Sequence, residues 1–361
     1  MTQSKNKNNV ENNKNSSAQN LNLTSLKFDL INNCNYRCSF CPYYGEGEGK
    51  GRVISSEGIR QEPIQAIDLE LLTSMFEELS QTNLFPAIKI SGWGEGLLHP
   101  NFDQIVQNAH GLGFKIRMIS NGYLTEHHLE SILQNLDAYV VSIHGPPQIH
   151  NKIVKVKNAY EKTMAGITKL LEASTGVENS LSEVILTFTI APNNFLHLTE
   201  QAHLVKELQH KSRKIPIQAR FQHDYFPSTN YEATNETYNL ASLEQELTEV
   251  KKLLPQVKII PELAGSLLEA YYAKTPFILN PHKCDRVAHE LEIRSNGDVY
   301  TCKSDLFGNL YQQSILDILH GPKWKKFVDS VQKEAQSSNG LSSGCDRCCY
   351  QADYVLPMNK R

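Results

Sequence analysis

Apolar and polar positions alternate along this chain in blocks of two kinds. Short runs rich in Ile, Val and Phe read as buried strands. Longer stretches with apolar residues three and four apart read as amphipathic helices. Strands are predicted over Leu26–Ile31, Ala87–Ser91, Lys115–Ser120, Tyr139–Ile143, Val184–Ile190 and Ile215–Phe221. Helical patterns fall between them. One is capped by Asp68 and runs through Leu71, Met75, Phe76 and Leu79; the others are Phe102–His110, Thr125–Leu136 with Thr125 as N-cap, Tyr160–Ala173 and Leu198–Gln209. Strand–helix units in series predict parallel α/β architecture. Alternation alone does not separate an open doubly wound sheet from a barrel.

The flanks read differently. Residues 1–23 are rich in Asn, Lys, Ser and Gln and cannot bury enough surface to offset chain entropy, so a disordered tail is expected. That tail has neither the apolar core of a signal peptide nor the Arg-rich pattern of a transit peptide, and no run is long enough to span a membrane. A cytoplasmic location is expected. After the sixth strand, a polar stretch leads to a helix over Leu243–Leu254, apolar Leu267–Tyr272 and a Pro-marked approach from Pro276 to Pro281. A helical linker over 229–281 is therefore expected. Leu291–Arg294 and Asp298–Thr301 flank Ser295-Asn296-Gly297, a hairpin signal, and a helix follows around Trp324–Val331. A length of 361 residues exceeds the usual single domain, which fits a large α/β domain over 24–228, a smaller one over 282–350 and a tail over 351–361. A net charge of −3 gives no broad electrostatic reason to bind nucleic acid.

The eight cysteines change the picture because they are grouped: Cys34, Cys38 and Cys41 near the start, and Cys284, Cys302, Cys345, Cys348 and Cys349 near the end. In a chain without a secretory signal such groups read as metal sites in a reducing compartment. The first group, spaced C-x3-C-x2-C, directly follows the first strand. One loop there can wrap three thiolates round a compact inorganic core. A four-iron cubane held by three cysteines keeps one iron open to a substrate or cofactor. Zinc normally takes four ligands, and no other cysteine is near this loop.

With an aromatic residue, Phe40, before the last cysteine, the stretch Cys34-Asn35-Tyr36-Arg37-Cys38-Ser39-Phe40-Cys41 resembles the signature of the radical S-adenosylmethionine (radical SAM) enzymes. The resemblance implies a partial (β/α)6 barrel of TIM-like type, a 4Fe–4S cluster on the three cysteines, and SAM chelating the open iron. It places the chemistry at the C-terminal ends of the strands, where parallel β/α folds generally keep their sites. Ser91-Gly92-Trp93-Gly94-Glu95-Gly96, after the second strand, resembles the family's Gly-Gly-Glu motif that holds the amino group of SAM. Gly94 and Glu95 match, whereas Trp93 stands where a glycine is expected. Ser120-Asn121-Gly122 is similar to the family's Thr-Asn-Gly, whose polar side chain faces SAM. Ser142, in Val141-Ser142-Ile143-His144-Gly145, resembles a serine that contacts its ribose or carboxylate. Phe40, Gly94, Glu95, Asn121 and Ser142 are thus the expected cofactor contacts. Each of these glycine and asparagine turns also has a purely structural reading. His144 reads as a loop residue before a catalytic one. His223-Asp224-Tyr225 marks a place for a substrate-facing base without specifying one. Lys152, Lys155, Lys157 and Lys162 form a basic patch, ordinarily a solvated helix face.

On spacing alone, the second group could hold zinc or a cluster. Its pattern, C-x12-G-x4-C followed by Gly308-Asn309-Leu310 and a distant C-x2-C, resembles the SPASM/twitch extension of radical SAM enzymes. That resemblance implies an auxiliary 4Fe–4S cluster on Cys284, Cys302, Cys345 and Cys348, with Cys349 spare. The expected chemistry is reductive cleavage of SAM to a 5′-deoxyadenosyl radical and removal of a substrate hydrogen. One electron then passes to the auxiliary cluster, oxidising a small molecule such as an aminocyclitol or sugar. Maturation of a peptide is the alternative, and a non-catalytic Fe–S carrier the non-enzymatic one. A reducing partner such as flavodoxin or ferredoxin is implied, with no nucleic acid or membrane.

Overall fold

The computed structural model describes residues 23–41, 43–44, 52–55, 58–61, 63–82, 84–175, 179–223, 238–272, 289–301 and 306–335. The six predicted strands form as β1 (Ser25–Phe28), β4 (Ala87–Ile90), β5 (Ile116–Ser120), β6 (Ala138–Ser142), β7 (Glu183–Ile190) and β8 (Ile217–His223). A small hairpin, β2 (Arg52–Ser55) and β3 (Gly58–Gln61), lies in the loop after the cysteines. Helices α1 (Leu69–Gln81), α2 (Phe102–Gly111), α3 (Leu129–Asn135), α4 (Pro147–Val154), α5 (Ala159–Ala173) and α6 (Leu198–Lys211) connect the strands. Each strand from β1 to β8 in the main sheet pairs parallel with the next. This is the partial barrel.

The alternation of each strand divides its side chains between two faces. Leu26, Phe28, Ile88, Ile90, Val184, Leu186 and Phe188 enter one apolar core with the helices, each 2% exposed or less. The intervening positions Lys27, Lys89, Arg117, Thr187 and Arg220 take the other face, which therefore carries polar groups.

Two expectations need correction. The stretch expected as a helical linker over 229–281 contains helices α7 (Leu240–Leu253) and α8 (Ser266–Tyr272), but also strand β9 (Lys258–Ile260) between them. β9 pairs parallel with β8 through Arg220↔Lys258, Phe221↔Ile259 and Gln222↔Ile260, so the barrel sheet continues into that stretch. Three residues are too few for a period-two signal to register. Thr125 does not cap a helix. It begins a 3-10 turn, and its buried Oγ1 donates to the Gly122 carbonyl and accepts from Tyr139 Oη.

The predicted hairpin forms as β10 (Glu290–Ile293) and β11 (Asp298–Tyr300), joined by β12 (Leu306–Asn309). It is not a separate sheet. β10 lies parallel to β1 on the side opposite β4, giving one ten-stranded sheet in the order β12-β11-β10-β1-β4-β5-β6-β7-β8-β9. Cross-strand polar pairs agree with this register. Lys27 Nζ lies 2.9 Å from Glu292 on β10, and Glu290 receives both Ser25 and Lys89. These ion pairs are partly exposed, worth about 1 kcal/mol or less each, so they select register more than they add stability. Beyond β12, helices α9 (Ile315–His320) and α10 (Pro322–Ala335) complete the described C-terminal part, with Trp324 packed edge-on to Phe307.

Candidate functional site

The cysteine loop leaves β1 at its C-terminal end and is fixed by backbone partners on two sides. On one side, residues 30–32 run beside 65–67: Ile67 N–H donates to the Leu30 carbonyl, Asn32 N–H to the Gln65 carbonyl, and Gln65 N–H to Asn32 Oδ1. On the other, the last carbonyls of α4 accept from the loop, Val154 from Arg37 N–H at 3.0 Å and Ile153 from Ser39 N–H at 2.9 Å. A helix end always leaves such carbonyls without intrahelical partners, and here the loop takes them. Within the loop, Arg37 Nη1 donates to the carbonyls of Cys34 and Tyr36 at 2.6 and 2.7 Å. Tyr36 is buried in a satellite core with Ile153, Val154 and Ala159, and its hydroxyl meets Thr163 Oγ1 at 3.2 Å. The eight residues of α4 are hard to read as a helix in the sequence because they are few and begin at a Pro pair.

None of Cys34, Cys38 and Cys41 is in a disulfide. Burial pushes the Cys34 thiol up to about 12, with the neighbouring Glu95 charge adding to it. Burial and then the Cys41 charge raise Cys38 well above its ordinary value, and burial raises Cys41. The three thiols therefore sit desolvated within one another's fields, an arrangement that metal coordination relieves by taking them as thiolates. Donors already face Cys34 Sγ: Tyr36 N–H at 3.4 Å and Asn121 Nδ2 at 3.9 Å. Among the described residues no three acidic, His or Cys side chains converge as single-ion ligands would, with tetrahedral zinc thiolates about 3.8 Å apart. A cubane held from outside by three thiols does not require that convergence. The donor set suits a soft iron–sulfur cluster.

The Gly-rich loop after β4 packs directly on this one. Asp29, next after β1, accepts from Trp93 N–H and Gly94 N–H, both at 3.1 Å, and Glu95 N–H donates to the Asn33 carbonyl at 2.8 Å. A Cβ on Gly94 would lie 1.7 Å from the Ile31 carbonyl oxygen, so only glycine fits there. The side chain of Trp93 swings outward and stacks on Tyr43 at 4.6 Å between ring centroids. The departure from glycine at position 93 thus costs the backbone nothing, since both N–H groups still reach Asp29.

Glu95 is 3% exposed and ties this loop to the end of β5. Its Oε1 accepts from Ser120 Oγ at 2.8 Å and Leu97 N–H at 3.1 Å, and its Oε2 from Asn121 N–H at 2.7 Å. Burial raises its pKa against these donors. A carboxylate offers about four acceptor sites, so about one remains for a ligand amine. Asn121 bridges to the cysteine loop through Nδ2 and Asn35 Oδ1 at 2.7 Å. Ser142, half-buried at the end of β6, is in register with Thr187 on β7, and Thr187 with Arg220 on β8. Arg220 Nε donates to Thr187 Oγ1 at 3.3 Å. Thr187 and Arg220 share the Ser142 face but were not singled out from sequence; strand parity finds them once pairing is known.

Phe40 meets His144 edge-on at 4.8 Å, and His144 stacks on His150 at 5.8 Å. Burial lowers both histidines, His150 to about 4, so both are neutral at pH 7. His223 closes β8 with Nδ1 2.7 Å from Tyr272 Oη, and burial pushes it down to about 3. It is a neutral, buried group, not a base poised near pH 7. Asp224 and Tyr225 lie outside the described residues, as do Cys284, Cys302, Cys345, Cys348 and Cys349. A cavity lined by Phe28, Leu30, Phe76 and Ile105 sits in the apolar core between sheet and helices and offers no polar group to a ligand.

Asp29 carries a testable consequence. Burial pushes its pKa from 3.8 up to about 7, offset in part by the Gly94 N–H and reinforced by Glu292. A carboxyl raised on folding stabilises the protein fully below its unfolded pKa, and that contribution is lost as pH rises through the folded value. Asp29→Asn keeps the accepting oxygen and removes the ionisation. Between about pH 5 and about pH 8, wild type is expected to lose about 2–3 kcal/mol of stability relative to this variant. Denaturant unfolding across that range measures it, and parallel curves for the two proteins would refute it.

The family model of the radical SAM superfamily matches residues 29–195, and that of the SPASM iron–sulfur cluster-binding domain matches residues 284–349. A curated protein named "Probable GTP 3′,8-cyclase" from Pyrobaculum aerophilum is 29% identical over 167 residues, 45% of this chain and 48% of its own. One of the same name from Saccharolobus solfataricus is 27% identical over 176 residues, 48% of this chain and 49% of its own. The chain spans about half the length of the curated relatives it matches. Among solved structures, Streptococcus suis SuiB bound to S-adenosylmethionine superposes with a TM-score of 0.58 at 15% identity, covering 90% of this chain and 74% of that one. SuiB bound to its precursor peptide SuiA gives 0.54 at 14% identity, covering 91% and 73%. At this identity the likeness to SuiB is one of fold.

Proposed function

Since the chain belongs to the radical SAM superfamily and carries a C-terminal SPASM iron–sulfur cluster-binding domain, we propose that it is an enzyme that cleaves SAM reductively and oxidises a small molecule such as an aminocyclitol or sugar. The observation that carries this reading is the desolvated trio of Cys34, Cys38 and Cys41, built against the Gly-rich loop and Asn121 at the C-terminal ends of β1, β4 and β5. The trio would hold a 4Fe–4S cluster, and Cys284, Cys302, Cys345 and Cys348 would hold an auxiliary one. When bound, the cluster and SAM would supply the radical chemistry for removing a substrate hydrogen, and the auxiliary cluster would supply an electron acceptor.

The chain's own residues orient and shield that chemistry. The loop over 92–95, with the amides of Trp93 and Gly94 held by Asp29, would offer Gly94 and the remaining acceptor site of Glu95 to the SAM amine. Phe40, Asn121 and Ser142 would contact the rest of SAM. The buried, neutral His144 and His150 keep the side next to Phe40 poor in charge and water. A second reading, maturation of a peptide, draws on the fold shared with SuiB, which has been seen with its precursor peptide.

The test is anaerobic reconstitution followed by dithionite, SAM and candidate substrates. 5′-Deoxyadenosine should form together with a product two hydrogens lighter than the substrate. Cys302→Ala, checked first for folding and for the trio cluster, should retain SAM cleavage while product per 5′-deoxyadenosine falls steeply. An unchanged ratio would make the auxiliary cluster structural and remove the support for oxidation. Turnover only with a peptide would select the second reading.

A further inference from the structure

Trp93 joins two parts of the fold that are far apart in sequence. One face of its indole stacks on Tyr43, two residues past Cys41, with rings 4.6 Å apart and 20° from parallel. The Arg294 guanidinium carbon lies 4.2 Å from the indole centroid and 3.9 Å from the ring of Tyr300 on β11. Arg294 follows β10 directly, and its backbone N–H donates to the Asp298 carbonyl, so its Cα is fixed by the hairpin. Its Nε is buried without a hydrogen-bond partner, and its ion pair with Glu292 is a long one, at 3.7 Å. The guanidinium is therefore held chiefly by the two aromatic faces. A planar cation stacks on both rings of such a slot better than an ammonium does.

From this geometry we infer that Arg294 is a positioning residue for SAM, acting through Trp93. The C-terminal hairpin clamps the loop whose amides Asp29 holds, so SAM affinity depends on a side chain outside the barrel. The inference rests on the proposed SAM role of residues 92–95. It also explains why position 93 carries a large aromatic residue, since a glycine would leave Arg294 and Tyr43 nothing to grip. By linkage, SAM in turn tightens the docking of the hairpin.

The experiment measures SAM affinity by equilibrium dialysis on protein with both clusters loaded. Iron content and the change in the reduced-cluster electron paramagnetic resonance signal on adding SAM are read in parallel. Arg294→Ala is expected to weaken SAM about tenfold, about 1.4 kcal/mol, with iron unchanged and the SAM-induced spectral change reached only at higher SAM. Trp93→Ala should weaken it similarly, and the double variant no more than the worse single one, because both break the same clamp. Trp93→Phe, which keeps a ring to stack, should stay within about threefold of wild type. If Arg294→Ala does not load its clusters, Arg294→Lys decides, with an expected loss of about three- to tenfold. Affinity within twofold of wild type in a loaded Arg294 variant, or losses that multiply in the double variant, would overturn the inference. Failure of wild type to bind SAM would instead overturn the proposed function.

Discussion

Replacing Cys34, Cys38 and Cys41 together by alanine is expected to abolish formation of 5′-deoxyadenosine while the protein stays folded. Protein contacts hold the path of the loop: Asn32, Arg37 and Ser39 are bonded to residues 63–65 and 153–154, and Tyr36 anchors it in a buried cluster. Three half-buried thiols replaced by methyl groups lose little hydrogen bonding, because the contacts to Cys34 Sγ are long, at 3.4 and 3.9 Å. Iron should drop from about eight to about four atoms per chain as one of two cubanes is lost. Chromatography of dithionite reactions, iron analysis and a thermal melt make the measurement. Persistent 5′-deoxyadenosine in the folded variant would defeat the assignment of the trio.

Gly94→Ala should be nearly as damaging by a different route. The added carbon would meet the Ile31 carbonyl oxygen at 1.7 Å and that of Asn33 at 2.7 Å, both backbone atoms that cannot swing away. The loop must lift, which breaks the bonds from Trp93 and Gly94 to Asp29 and from Glu95 to Asn33, and leaves a buried carboxyl without its donors. Losses of this kind reach about 3–5 kcal/mol, and SAM affinity should fall at least about a hundredfold with them. Gly111→Ala is the control. It lies at the end of α2 with nothing within 4 Å of an added Cβ, so its melting temperature should stay the same or rise slightly. Equal behaviour of the two variants would show that the approach to Ile31 is not as close as described.

Legibility from sequence followed the reach of each signal. Six strands were readable because each repeats apolar positions over several residues, and the cysteine loop because its spacing is local. Lys27 and Asp29 were visible as polar residues at every second place in an otherwise apolar run. Their meaning was not, since it depends on Glu292 and on the amides of Trp93 and Gly94, all distant in the chain. β9 was missed for its brevity and α4 for its proline start. Glu95 shows the opposite limit: the motif identified it, yet its three donors come from residues 97, 120 and 121, so most of its acceptor capacity is structural. Trp93 read as a departure from a motif and became, with Arg294 in view, a contact surface.

The pairing of β10 with β1 has a consequence for the growing chain. Residues 25 and 290 are direct partners, 265 positions apart. At about 5–20 residues per second, β1 leaves the ribosome tens of seconds before its second neighbour exists. Throughout that interval the strand that carries the cysteine loop is a sheet edge with unmated amides, open to misassociation. A polypeptide stopped short of β10 would keep that condition permanently, so the barrel half made alone should be the aggregation-prone form of this protein.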